Sequence, residues 1–139
     1  MPTENEKLKV VIDTNIFISG LNFIKNESEV LDLFIKGEIE VYISLFILAE
    51  IERILRKKFR WREDQIQQTL NKIKQKAIIV SPKVKISVIK EKSDDNRILE
   101  CALEGRAQYI ISGDERHIIP LKEFKGIKVL RASEFLKLI

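Results

Sequence analysis

Four carboxylates, Asp13, Glu50, Asp95 and Asp114, are spaced as a group that could do chemistry together. Asp13 closes the β-branched run Leu8-Lys-Val-Val-Ile12, and Asp114 closes Tyr109-Ile-Ile-Ser-Gly113. Asp95 opens a helical pattern in Ser93-Asp-Asp-Asn96, and Glu50 lies among Leu48, Ala49 and Ile51, where a charge needs a partner. Carboxylates sharing a cleft repel one another, and their pKa values rise unless a cation neutralises them. Hard divalent cations take oxygen ligands, and Mg2+ combines a few carboxylates with waters and substrate phosphates. Such a cation can activate a water and steady the charge of an in-line phosphoryl displacement. The chemistry implied is phosphodiester hydrolysis, which requires neither of the residues this chain has only once, His117 and Cys101. Taken singly, Asp13, Asp95 and Asp114 each fit a helix cap or a turn equally well, and Glu50 fits a paired helix residue.

These acids need elements to hold them. Short, continuously apolar runs at Leu8–Asp13, Ile39–Ser44, Ala77–Val80, Gln108–Ser112 and Ile127–Leu130 read as five buried strands. Between them, apolar residues at helical spacing predict helices over Thr14–Asn22, around Val30–Ile35 up to Gly37, over Leu45–Arg60 and Arg62–Gln75, from Ser93 to Gly105, and over Ala132–Leu138. Val84–Ile89 fits neither pattern. Strands that alternate with helices imply an α/β domain, a parallel sheet covered on both faces. In such sheets, sites form beyond the carboxyl ends of the strands, where strand order reverses. Asp13 and Asp114 share one cleft if the first and fourth strands are neighbours.

Composition narrows the classes further. The 139 residues fit a single domain, and 45% hydrophobic with 33% charged residues exclude a disordered or low-complexity chain. No apolar run approaches the roughly 20 residues of a membrane-spanning helix. One Cys and one His exclude a disulfide framework, a Cys-based zinc site and a multi-His metal site. No secretory signal is visible in Met1–Lys9, so the expected location is the cytoplasm. The net charge of +4 hides two features. With the four acids set aside, 25 Lys and Arg face 17 remaining Asp and Glu, a formal +8.

The acidic segments together resemble the PIN-domain family of metal-dependent ribonucleases. Val10-Val-Ile-Asp13-Thr14-Asn15 is similar to the family's opening strand and Asp-Thr-Asn motif, and Leu48-Ala-Glu50-Ile51 to its helical Glu motif. Asp94-Asp95-Asn96-Arg97-Ile98-Leu99-Glu100-Cys101-Ala102 resembles the third motif, and Tyr109-Ile-Ile-Ser112-Gly113-Asp114 the last strand with its terminal Asp. The order and intervals match from about Lys9 to Leu138, nearest the toxin branch. The resemblance implies a three-layer α/β/α sandwich with a parallel five-stranded sheet of order 3-2-1-4-5. It implies Mg2+ or Mn2+ held by Asp13, Glu50, Asp95 and Asp114, with Thr14, Asn15, Asn96 and Ser112 as orienting polar groups. It also implies an RNA substrate, a small antitoxin partner and a homodimer. Relatives often carry a second acid or a His two residues after the last Asp; here Arg116 stands there, with His117 one place later. His117 is read as a loop or structural residue, and Cys101 as core.

Arg53, Arg56, Lys57, Lys58, Arg60 and Arg62 form a basic stretch with Phe59 and Trp61 interleaved. Cations pair with phosphates and aromatic faces stack on unpaired bases, so this stretch is a candidate RNA contact. Basic residues also favour a helix C-terminus, and the two aromatics suit packing between helices. The expected activity is that of a metal-dependent endoribonuclease, the toxin of a toxin–antitoxin pair. An RNA-processing or decay nuclease without antitoxin, and a non-catalytic RNA- or protein-binding module, remain open. The absence of a Gly-rich phosphate loop argues against a nucleoside triphosphatase.

Overall fold

The computed structural model describes residues 6–139. Its centre is a sheet built on β1 (Lys9–Ile12), flanked by β2 (Glu40–Ile43) and β4 (Tyr109–Ile111). β3 (Ile78–Ile79) extends the sheet beyond β2, and β6 (Ile127–Leu130) extends it beyond β4. Val10, Val11 and Ile12 are fully or almost fully buried. A strand covered on both faces can be apolar at every position, which is why this run is continuous rather than alternating.

With β5 (Glu123–Phe124) at the far edge, the strand order among the described residues is β3-β2-β1-β4-β6-β5, and all pairs are parallel except β5 with β6. The expected five-stranded order is present, with Ile127–Leu130 as its fifth member. The sixth strand, β5 (Glu123–Phe124), is an addition: it forms a hairpin with β6 through Lys125 and Gly126, at φ 48° and 83°. Two-residue hairpin turns take positive φ because that twist matches the flanking strands. A strand of two residues has no periodicity to read, so the sequence did not reveal it.

Helices α1 (Thr14–Leu21), α2 (Lys25–Ile35), α3 (Leu45–Lys57), α4 (Glu63–Lys76), α5 (Asn96–Gly105) and α6 (Ala132–Leu136) cover the sheet. α1 and α2 cross closely at Gly20, where a Cβ would lie 2.6 Å from Leu31 Cδ1 and 2.8 Å from the Glu27 carbonyl. Ile47, Leu48, Ile51 and Leu55 of α3 and Ile66, Leu70 and Ile73 of α4 are buried, the stripes the spacing predicts. α3 stops at Lys57, three residues before the expected end. Trp61 N–H donates to the Leu55 carbonyl at 3.0 Å, and Arg60 takes φ 54°, which reverses the chain. β3 is shorter than Ala77–Val80, and Ile78 and Ile79 stay 42% and 44% exposed because it is the sheet edge.

Residues 80–92 form no helix or strand. Side chains of α5 hold this segment instead. Asn96 Oδ1 accepts the Ile89 N–H at 2.8 Å, and Asn96 Nδ2 donates to the carbonyls of Ile89 at 2.7 Å and Ser93 at 3.0 Å. Glu100 Oε2 accepts the Ile86 N–H at 2.8 Å and pairs with Arg97 at 2.8 Å. Ile86 and Ile89 are thereby buried. No helix among the described residues is long and apolar enough to cross a membrane.

Candidate active site

The pairing of Ile12 with Ile111 sets the register that brings the carboxyl ends of β1 and β4 together. One residue further on, Ser112 Oγ donates to Asp13 Oδ2 at 2.7 Å. The Asp114 N–H donates back to Ser112 Oγ at 3.0 Å, so one buried hydroxyl ties the two strand-end acids together. Asp13 is also the cap of α1, accepting the Thr14 N–H at 2.8 Å on Oδ1. Capping uses one oxygen only. Oδ2 receives Ser112 and, more distantly, Asn15 Nδ2 at 3.4 Å, while Asn15 Oδ1 accepts the Gly113 N–H at 3.2 Å.

Asp13 is 7% exposed, and its pKa is raised to about 6. Burial is the main cause; the bonds from Ser112 and Thr14 oppose it, and the charges of Asp95 and Asp114 add to it. Glu50 accepts a hydrogen bond from Thr14 Oγ1 at 2.8 Å, which draws α3 toward the end of β1. Its pKa is raised, again first by burial, with Asp94 and Asp95 contributing repulsion and Arg53 opposing. Asp95 lies in a 3-10 turn ahead of α5 and makes no side-chain cap, so the capping role open to it in the sequence is not used. Its pKa is raised by burial and by Asp114, against the pull of Lys92 and His117. Asp95 Oδ2 is buried and has no hydrogen-bond partner among the described residues.

Asp114 forms a turn on one side only. Oδ1 accepts the N–H groups of Arg116 at 3.0 Å and His117 at 2.9 Å, leaving Oδ2 free of the backbone. That turn folds His117 back over the acids, with Nδ1 3.3 Å from Asp95 Oδ2 and 3.6 Å from Asp114 Oδ2. His117, read from the sequence as a loop or structural residue, therefore sits inside the acidic cluster. One ligand atom from each of Asp95, Asp114 and His117 lies within 4.8 Å of the others. The signal in the sequence was the three-residue step from Asp114 to His117, which an Asx turn closes. Among the described residues no Lys or Arg forms an ion pair with Asp13, Glu50, Asp95 or Asp114; the only such contacts come from His117.

Asp13 and Asp114 therefore sit at the carboxyl end of a parallel sheet where strand order reverses, with Asp95 brought to Asp114 across His117 and Glu50 joined through Thr14. A PIN-domain model matches residues 9–116, which span all four acids. The chain belongs to the PIN-domain family. It is 36% identical over 131 residues to an uncharacterized protein of Methanocaldococcus jannaschii, covering 91% of this chain and 83% of that protein. Two solved structures are similar in fold. One is a toxin–antitoxin complex from Klebsiella pneumoniae (TM-score 0.63, 19% identity, covering 88% of this chain and 97% of that one). The other is VapBC2 from Rickettsia felis bound to a DNA fragment from its promoter (TM-score 0.59, 16% identity, covering 88% and 97%).

Within this PIN domain, Thr14, Asn15 and Ser112 all touch the acids. Asn96 does not: its amide is spent on the backbone of Ile89 and Ser93, so it acts as a strap for residues 80–92. The basic stretch divides too. Arg56 is committed to Glu52 at 2.7 Å and Glu63 at 2.6 Å, and Arg62 pairs with Asp64 at 3.2 Å. Trp61 is half-buried against the core and lines an apolar groove with Phe17, Leu31 and Ile73, so it packs rather than presenting a face for stacking. Cys101 is fully buried, and burial pushes its thiol up to about 12, which makes it core.

Proposed function

We propose that this PIN domain is a divalent-metal-dependent endoribonuclease that hydrolyses RNA phosphodiester bonds, and that it is the toxin of a toxin–antitoxin pair. The observation that carries the catalytic reading is Asp95 Oδ2, a buried carboxylate oxygen that among the described residues has no donor, set in a cluster of acids that no described Lys or Arg pairs with. Burying a charge without a partner is costly, so such a group calls for a cation. The oxygen-rich donor set fits a hard divalent ion, Mg2+ or Mn2+. Asp13, Glu50, Asp95 and Asp114 would hold it. When bound, it supplies charge neutralisation at the phosphate and Lewis-acid activation of the attacking water.

The protein's own part is preorganisation. Ser112 and Asn15 hold Asp13, and the bonds from Ser112 and the Thr14 N–H favour its ionised form. Thr14 places Glu50 from the first turn of α1, so a hydroxyl one residue from Asp13 sets the position of an acid on another helix. Asp114 is fixed by two backbone N–H groups, which hold one oxygen and present the other. Arg53, Lys57, Lys58 and Arg60 follow Glu50 on and beyond α3 and supply cationic charge for an RNA backbone.

The antitoxin reading rests on fold likeness to the toxin–antitoxin complexes above. Its test is growth: expression of this chain arrests cells, and co-expression of a small protein encoded beside it relieves the arrest. The catalytic test incubates purified protein with structured and unstructured RNAs in Mg2+, in Mn2+ and in chelator. Cleavage that survives the chelator, or survives in both Asp13→Asn and Asp95→Asn, overturns the metal mechanism.

A further inference from the structure

We infer that His117 is a nitrogen ligand of the cation at this site, that Glu91 orients it for that role, and that the mixed oxygen and nitrogen set favours Mn2+ over Mg2+. This rests on the metal-dependent reading above and names the metal for the same site.

The geometry starts with Asp114. Its Oδ1 is consumed by two backbone N–H groups, one of them that of His117 itself. The remaining oxygen and Asp95 Oδ2 both face His117 Nδ1, at 3.6 Å and 3.3 Å. Neither contact is aligned as a hydrogen bond, and Asp95 Oδ2 is left without a donor although it is buried. Two oxygens and one nitrogen thus turn toward a common space. Ligand atoms on one edge of an octahedral ion stand about 3.0 Å apart when the bonds are about 2.1 Å. The two separations from Nδ1 are a little wider, and all three residues offer ligand atoms within 4.8 Å of one another, a spacing that an ion can draw together.

The other ring nitrogen decides which atom can bind. His117 Nε2 lies 3.3 Å from Glu91 Oε2. When Nδ1 binds a cation, the Nε2–H is the remaining donor of the ring, and this carboxylate stands in place to accept it. Metal-binding imidazoles commonly donate their second N–H to a carboxylate in this way. Glu91 comes from the irregular segment, and Asn96 secures that segment on both sides of it, at Ile89 and at Ser93. The strap that seemed unrelated to the acids therefore positions the residue that orients His117.

Coordination chemistry supplies the selectivity. Mg2+ is served by oxygens and water, whereas imidazole nitrogen strengthens binding of first-row transition ions. A site of carboxylates alone would accept either ion. Replacing one oxygen by Nδ1 tilts it toward Mn2+.

His117 is the single histidine of the chain, so in protein made without a histidine tag any imidazole signal belongs to it. The experiment records pulsed EPR of the Mn2+ complex with and without 15N-labelled histidine, and measures Mn2+ and Mg2+ binding by calorimetry. The expected result is a nitrogen coupling that changes with the label. His117→Gln should abolish the coupling and weaken Mn2+ binding at least about tenfold, with Mg2+ affected much less; Glu91→Gln should weaken Mn2+ binding by a smaller factor. A bound Mn2+ with no imidazole coupling, or equal losses for both ions in His117→Gln, overturns the inference. If Asp95→Asn still abolishes that Mn2+ binding, the acidic metal site stands while the role of His117 falls. If the wild-type protein binds no Mn2+, both fall. The labelling arm needs no variant, so a variant that fails to fold leaves the test intact.

Discussion

Asp13 and Glu100 are buried to the same extent, each 7% exposed, yet their charges are met in different ways. Glu100 pairs with Arg97 and accepts the Ile86 N–H, so it holds a stretch of chain that has no secondary structure of its own. Asp13 has hydrogen bonds but no cation, and burial raises its pKa to about 6. The same contrast recurs at the surface. Glu63, Glu115 and Glu134 lie against arginines or backbone donors, and their pKa values are lowered, whereas those of Glu50 and Asp95 are raised. Where a carboxylate has a structural task, this protein supplies an arginine. At the ends of β1 and β4 it supplies backbone N–H groups, hydroxyls, an amide and one imidazole, and among the described residues no Lys or Arg pairs with the acids there.

The largest expected effect separates the two buried acids by function. Asp13→Asn and Asp95→Asn should each lower RNA cleavage by at least about 100-fold, measured as single-turnover rates, because each removes a charge that would stabilise a cation at the reacting phosphate. Glu100→Gln should keep the site's chemistry and instead lose about 2–4 kcal/mol of stability in urea unfolding, since Arg97 is left without its partner. Equal loss of activity at matched folded fraction in Glu100→Gln would erase the distinction.

Stability should move in the opposite direction at Asp13. A carboxyl whose folded pKa is raised to about 6 from 3.8 binds more protons folded than unfolded between those values. The contribution of Asp13 to the stability of the metal-free protein therefore increases as pH falls from 7 through 6 toward 4. At pH 7, Asp13→Asn should stabilise the metal-free protein by about 1–3 kcal/mol, and the gain should shrink as pH falls. Thermal unfolding over that pH range in chelator checks the sign. A difference between wild type and Asp13→Asn that does not shrink below pH 7 would count against a buried, uncompensated Asp13.

The smallest effects concern the basic stretch. Arg56→Gln should leave RNA binding near wild type, since that guanidinium is already held by Glu52 and Glu63. Gln at Arg53 or Lys57 should weaken binding and flatten its salt dependence, by about 0.7 in the log–log slope for each lost phosphate contact. Filter binding at several salt concentrations distinguishes the two, and an equal loss in Arg56→Gln would break the division.

Much of this was legible in the residue order. Continuous apolar runs located the central strands because both faces of a parallel sheet are covered, and the acids stood out because they interrupt those runs. The edges were less legible. β3 is half exposed and β5 has two residues, too short for any pattern. The family resemblance implies Asn96 as an orienting group beside the acids, but adjacent residues on a helical turn face different ways, and its amide points to Ile89. Arg56 counted as a phosphate ligand until α4 brought Glu63 beside it, an encounter that no local spacing encodes.

Residue order by itself determined the alternation of strands and helices, the family, three acids at element ends and a fourth inside a helix, because hydrophobic period and chain-local caps are short-range properties. Only the tertiary structure decided which acids meet and what joins them. The Ile12–Ile111 register places Ser112 between Asp13 and Asp114, Thr14 reaches Glu50 across 36 residues, and Glu91 reaches His117 across 26. Those contacts arise when the sheet closes and the irregular segment is strapped to α5. They depend on distance in space, and that distance does not exist until the core has packed.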